Sequence, residues 1–223
     1  METSAPSVSG LRPARRPSER RGSDTKGDRR EQGILDALEA LLLEAPFAKL
    51  SVGQIAERAG VGRTAFYFYF ASREAALAAL AERSMEPLYE AGGGWLFGDG
   101  DPLPAMREGL QRVVQVWTNQ AHLLVALIDA ASHDPDMLDM WRTQIEEMAG
   151  AVTRRIERDA ERGLTWPNIR AADIARTLVW MSERYCYMYL SERPWSHPSD
   201  EVHASLLHLW EHAIYQSAGE KRA

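Results

Sequence analysis

Apolar residues recur along this chain with a helical period over most of its length. From Asp28, the residues Ile34, Leu35, Leu38, Leu41 and Leu42 share one face of a first helix, which Pro46 closes. Ser51 follows, with Gln54 three positions on, the pattern of a capping box opening a second helix. Val52, Ile55, Ala56 and Ala59 face inward, and Gly60 supplies the left-handed turn at its end. A third helix is predicted over Arg63 to Tyr69, and Ser72 can cap a fourth through Ala75, Leu77, Leu80 and Met85 to about Tyr89. The run Gly92-Gly93-Gly94 and the residues up to Pro102 break the pattern. No strand precedes this run and no Lys-Ser/Thr follows, so it reads as a linker or flexible corner, not a phosphate cradle.

The helical pattern then resumes. One segment carries Met106, Leu110, Val113, Val114 and Trp117, and a short one carries Leu123, Leu124, Leu127 and Ile128. Asp134-Pro135 starts a longer helix with Leu138, Trp141, Ile145, Met148, Val152 and Ile156, ending at Gly163. Two more carry Ile174, Leu178, Met181, Tyr185 and Met188, then Val202, Leu206, Leu209, Trp210, Ala213 and Ile214. No period-two alternation interrupts them, so the expected fold class is all-α. Residues 1–27, rich in Ser, Pro, Gly and Arg, lack apolar surface to bury and are expected to be disordered without a partner.

Composition narrows the function classes. The chain of 223 residues is long enough for a sizeable core, and its 45% hydrophobic content is that of an ordinary globular protein. A mean hydropathy of -0.37 and no long apolar run argue against a membrane partner. Paired arginines near the start lack an apolar stretch behind them, which argues against a secretory signal. A single cysteine, Cys186, excludes an internal disulfide framework and suits a cytoplasmic location. The net charge of -6 speaks against nucleic acid until its distribution is considered. Residues 1–30 hold eight Lys/Arg against four acids, whereas in 91–223 acids outnumber bases 19 to 13. A basic arm on an acidic body can still meet phosphate with one end.

The segment from Ser51 to Ala76 is the most specific one. A capped helix, a glycine turn and a second helix dense in aromatics form the layout of a helix-turn-helix. Phe66 and Phe70, four apart, should pack with Ile55 and Val61, leaving Tyr67 and Tyr69 to point elsewhere. Arg63 and Thr64 stand at the end of the helix that reaches base edges, and arginine is the commonest reader of guanine. Lys49, Ser51, Arg73 and the tyrosine hydroxyls suit phosphate oxygens.

Residues 31–80 resemble the DNA-binding domain of TetR-family repressors: an apolar first helix, Ser-x-x-x-Ile-Ala, Ala-Gly-Val, a Phe-Tyr-x-Tyr-Phe box and Ser-Arg-Glu. Trp141, the run Glu157 to Gly163, Met181-Ser182-Glu183-Arg184 and Leu207-His208-Leu209-Trp210 are similar to the ethionamide-resistance branch of that family. The resemblance implies a homodimer of all-helical subunits binding double-stranded operator DNA. The organisation expected is a basic arm over 1–27, a helix-turn-helix domain over 28–76, an effector-binding and dimerisation domain over 77–217, and a tail over 218–223. By this likeness Gly62, Arg63 and Thr64 lie nearest the bases, and Tyr67, Tyr69 and Arg73 take phosphate-contact places. Gly62 stands where a Ser or Thr is frequent, so a hydroxyl contact is missing.

The resemblance also places Met106, Val113, Trp117, Trp141, Ile145, Met148, Val152, Trp180, Ser182 and Trp210 along a narrow, mostly apolar effector channel. Those relatives offer asparagine amides to the ligand where Trp180 and Ser182 stand here, which implies a less polar pocket. The expected effector is a small apolar molecule that releases the repressor from its operator. Neither a cofactor nor a metal is expected, and no enzymatic role. Dimerisation should use the last two helices, which are apolar on more than one side.

Two rival chemistries have a sequence basis. His208-Leu209-Trp210-Glu211-His212 matches the inverted zinc-protease motif, but only eleven residues follow to supply a third ligand. Cys186 could sense redox state, yet it has no second cysteine and an apolar mid-helix setting that favours an inert thiol.

Overall fold

The computed structural model describes residues 26–84, 86–191 and 197–216; the expected arm up to residue 25, the tail 218–223 and Trp195 lie outside these. All regular structure among the described residues is helical, apart from one isolated bridge between Thr165 and Tyr215. Helix α1 (Lys26–Glu44) starts two residues ahead of the predicted position and buries Ile34, Leu35, Leu38, Leu41 and Leu42. A short 3-10 turn, Phe47–Lys49, leads to α2 (Val52–Arg58). Its capping box is complete: the Gln54 amide donates to Ser51 Oγ at 3.3 Å, and the Ser51 amide donates to Gln54 Oε1 at 2.9 Å. Gly60 takes φ +67°, a backbone geometry that strains any residue with a Cβ.

Helices α3 (Arg63–Tyr69) and α4 (Arg73–Ser84) complete the small domain. Ile55, Phe66, Leu77 and Leu80 are fully buried with the apolar face of α1, as the spacing predicts. Arg83 on α4 reaches across to Asp36 and Glu39 on α1, both at 2.6 Å, and fixes how these helices cross.

The expected linker over 92–102 is corrected. Helix α4 is described to Ser84, and the glycine run sits inside helix α5 (Glu86–Phe97). Three helical glycines cost roughly 1 kcal/mol each relative to alanine. Burying Trp95 and Leu96, both 4% exposed, returns about 1.5–3 kcal/mol apiece, so packing overrides propensity.

Five more helices follow: α6 (Pro102–Asn119), α7 (Ala121–Ala131), α8 (Pro135–Glu161), α9 (Ala171–Leu190) and α10 (Ser199–Ile214). Asp101 caps α6 through the Leu103 amide at 3.1 Å, and Asp134 caps α8 through the Met137 amide at 3.0 Å. Helix α7 packs on α8 with one side and on α1, α4 and the 47–49 turn with the other, joining the two halves of the molecule. Arg155 and Arg158 in the C-terminal half of α8, and Arg162 at its C-cap, grip the end of α5 and the residues after it. Arg155 donates to the carbonyls of Trp95 and Gly98, Arg158 to that of Leu96, and Arg162 to that of Asp99. The Trp95 and Leu96 carbonyls are orphan acceptors of a helix end, satisfied here by side chains from a neighbouring helix.

Candidate DNA interface and effector cavity

The α2–α3 corner gathers most of the residues expected at DNA. Gly62, Arg63 and Thr64 are exposed at the start of α3, and Tyr67 is 55% exposed. Leu50, Ser51, Val52, Gly53, Arg63, Tyr67 and Arg73 surround a shallow surface cleft between α2 and α3. The Arg63 guanidinium lies over Gly53, where an added Cβ would stand 2.5 Å from its terminal nitrogen. A side chain at position 53 would therefore displace the arginine. Lys49 is exposed on the neighbouring turn.

Three residues differ from expectation. Tyr69 is half-buried against the core, its ring edge-on to Phe68 at 5.1 Å. Arg73 is engaged internally: its guanidinium donates to the carbonyls of Phe47, at 3.0 Å, and Leu50, to Glu74 at 2.8 Å, and covers the Phe47 ring. It fastens the 47–50 turn to α4. Phe68, which sequence reasoning passed over, is 82% exposed on α3 between the two tyrosines. Its signal was available, because Phe66 and Phe70 on the buried face leave position 68 facing away.

The second site is a cavity of about 100 Å³ lined by α5, α6, α8, α9 and α10. Met106, Val113 and Trp117 line it from α6, Trp141, Ile145, Met148 and Val152 from α8, Ser182 from α9, and Trp210 from α10. Nine of the ten expected residues thus share one wall. Trp180 does not. Its indole nitrogen donates outward to Glu146 Oε1 at 3.0 Å, and this bond, then Arg176, holds the Glu146 carboxyl below the usual range. Val179 takes the place on the wall instead, since one residue turns a helix face by about 100°. Ser182 Oγ accepts from Trp210 Nε1 at 2.9 Å.

The contributions of α5, namely Leu88, Gly92, Trp95 and Leu96, were not legible as long as 92–102 read as a linker. Glu183 was missed as well, although it stands four residues from Val179 and three from Cys186 on the same buried stripe. It is 4% exposed, and its Oε1 accepts from Trp141 Nε1 at 3.2 Å. Burial raises its pKa, an effect offset in part by Arg184 and the Trp141 bond.

His208 and His212 are exposed with ring centroids 4.2 Å apart and ring planes tilted by 43°, while Glu211 faces Arg107 at 3.8 Å. Among the described residues no cluster of three His, Cys, Asp or Glu is placed to hold a metal ion. Cys186 is fully buried, and burial, then Glu183, pushes its thiol pKa up, away from thiolate reactivity. No helix among the described residues is long and apolar enough to cross a membrane.

Comparison with known proteins gives the family. Residues 34–80 match the family model "Bacterial regulatory proteins, tetR family", and residues 106–216 match "Transcriptional regulator EthR, C-terminal domain". The chain is 30% identical to the HTH-type transcriptional regulator EthR of Mycobacterium tuberculosis, with all of both chains covered. It is also 30% identical to that of Mycolicibacterium smegmatis, over 90% of this chain and 93% of the relative. Among solved structures, NalD, the secondary repressor of the MexAB-OprM multidrug efflux pump in Pseudomonas aeruginosa, superposes with TM-score 0.70. That match has 20% identity and covers 86% of this chain and all of NalD. SmeT, the repressor of the Stenotrophomonas maltophilia efflux pump SmeDEF, gives 0.69 at 20% identity, covering 84% and 91%. With a TetR-type helix-turn-helix at one end, an EthR-type helical domain at the other and full-length relatives at 30% identity, this chain belongs to the TetR family of transcriptional regulators.

Proposed function

We propose that this regulator is a homodimeric repressor released from its operator when a small, largely apolar molecule enters the cavity between α5, α6, α8, α9 and α10. The observation that carries the reading is the cavity itself. It is walled by four tryptophans, and helix α5 on its rim follows directly on α4, which packs on α1. At about 100 Å³ it is smaller than the roughly 300–1,000 Å³ of pockets that bury drug-sized ligands. A larger occupant must push the walls apart, which makes the two conformers differ in ligand affinity, as a population shift requires.

On DNA, Gly62, Arg63 and Thr64 would face base edges, and Lys49, Ser51, Tyr67 and Tyr69 would reach phosphates. Phe68 would give an apolar contact of the kind thymine methyls accept. Arg73 would act mainly by holding the 47–50 turn in register. Dimerisation through α9 and α10 would use Leu209, 47% exposed, and the half-buried Leu207 and Tyr185. Two recognition helices must then span successive major grooves roughly 34 Å apart, so a modest change in their separation breaks the double contact.

Anisotropy of a labelled duplex from the promoter upstream of its own gene tests this, with salt titration and sizing of the free protein. Tight, salt-dependent binding by a dimer, weakened by octanol as a minimal apolar probe, is the expected result. A monomer without salt-sensitive duplex affinity overturns the reading.

A further inference from the structure

Glu183 supplies the one charged side chain among the described residues of the cavity wall. Its side chain is 3% exposed, and only one of its oxygens is satisfied, by the Trp141 indole. The other, Oε2, is buried without a hydrogen-bond partner. The nearest cation, Arg184 Nε, stands 3.7 Å away on a side chain that is 57% exposed and lies over the Tyr187 ring. Buried polar atoms are paired in the great majority of cases, and a buried acceptor left alone is costly. The rest of the wall is apolar except for Gln144 and Ser182, and neither of them donates to Glu183 Oε2. The missing donor is therefore one the occupant can bring.

We infer that the effector carries a protonated amine on an apolar body, and that this amine pairs with Glu183 Oε2 while the body lies among the tryptophans. A neutral hydroxyl would satisfy one lone pair but bring no charge, leaving the carboxylate to the exposed Arg184 at 3.7 Å. An anion would add a second negative charge beside the first. A cationic nitrogen alone offers both a donor and a countercharge. This rests on the effector-cavity reading above and specifies what that cavity selects.

The test compares octylamine, octanol and octanoate against the full chain near neutral pH, where the amine is charged, following tryptophan fluorescence and thermal unfolding. The expected order is amine over alcohol by about tenfold or more, with octanoate weakest. In Glu183→Gln the amine should fall to the level of the alcohol, while alcohol binding is retained. Equal binding of amine and alcohol by the unaltered protein overturns the inference and leaves the cavity reading intact. An amine preference that survives in Glu183→Gln overturns it too. If none of the three binds, the effector-cavity reading fails and takes this inference with it. Should Glu183→Gln not fold, the ranking by the unaltered protein decides the matter by itself.

Discussion

The indole nitrogen of Trp95 donates to the Tyr215 hydroxyl at 2.9 Å, joining the cavity wall to a residue 120 positions further on. Tyr215 donates in turn to Asp159 Oδ2 at 2.7 Å, and the same oxygen accepts from Arg155 Nε at 2.7 Å. Arg155 closes the ring by donating to the Trp95 carbonyl. Burial, reinforced by Asp159, raises the Tyr215 pKa and keeps its hydroxyl a donor. The end of α5 is thus held by a buried polar loop drawn from α8 and the last described turn, in which no member can be deleted without stranding another.

Replacing Tyr215 by Phe leaves the Trp95 N–H and one Asp159 lone pair buried without partners. A loss of about 2–3 kcal/mol in urea unfolding is expected, from a lower midpoint at unchanged slope. Asp159→Asn should cost more, about 3–5 kcal/mol, because it strands the charge of Arg155, which is 1% exposed. If Tyr215→Phe unfolds at the same midpoint, the ring does not hold α5.

Legibility in the sequence followed the range of the interactions involved. The helix-turn-helix could be read because its signals are local: Ser51 and Gln54 cap each other three residues apart, Gly60 alone fits its turn, and Phe66 and Phe70 share a face. Helix α5 could not, because its glycines argue against a helix while its support comes from arginines 57 to 63 positions away. The same holds for Arg73, whose internal contacts lie 23 and 26 residues back. Along α9 Ser182 lines the cavity as expected, but Val179 rather than Trp180 faces it one turn earlier. Glu183 went unnoticed because a lone acid on an apolar stripe looks like helix surface until the packing around it is known.

Gly53 sets the pose of Arg63. A methyl group at position 53 would meet only the far end of that flexible side chain, so the guanidinium moves and the fold does not. Gly53→Ala should leave thermal stability unchanged or slightly raised, since alanine is the better helix former. Operator affinity should fall by about fivefold to thirtyfold, the equivalent of roughly 1–2 kcal/mol for one misplaced guanidinium contact. Discrimination between operator and unrelated duplex should narrow in step. Anisotropy with both duplexes checks this, and undiminished discrimination would mean that Arg63 reads no base.

Gly93 probes whether α5 moves. It has ordinary helical backbone, and a Cβ there would meet only the Phe97 ring, at 3.8 Å, a comfortable contact. Gly93→Ala should therefore stabilise the helix by about 0.5–1 kcal/mol. If the cavity opens by loosening α5, that gain belongs to the closed conformer alone, and the open one becomes harder to reach. An apolar probe such as octanol would then need about twofold to fivefold more concentration to release the operator duplex, while duplex affinity without probe stays the same. A rise in melting temperature with an unaltered octanol titration would instead place the opening motion elsewhere, in α6 or α9. The substitution separates stability from response because it touches neither the cavity wall nor the recognition helix.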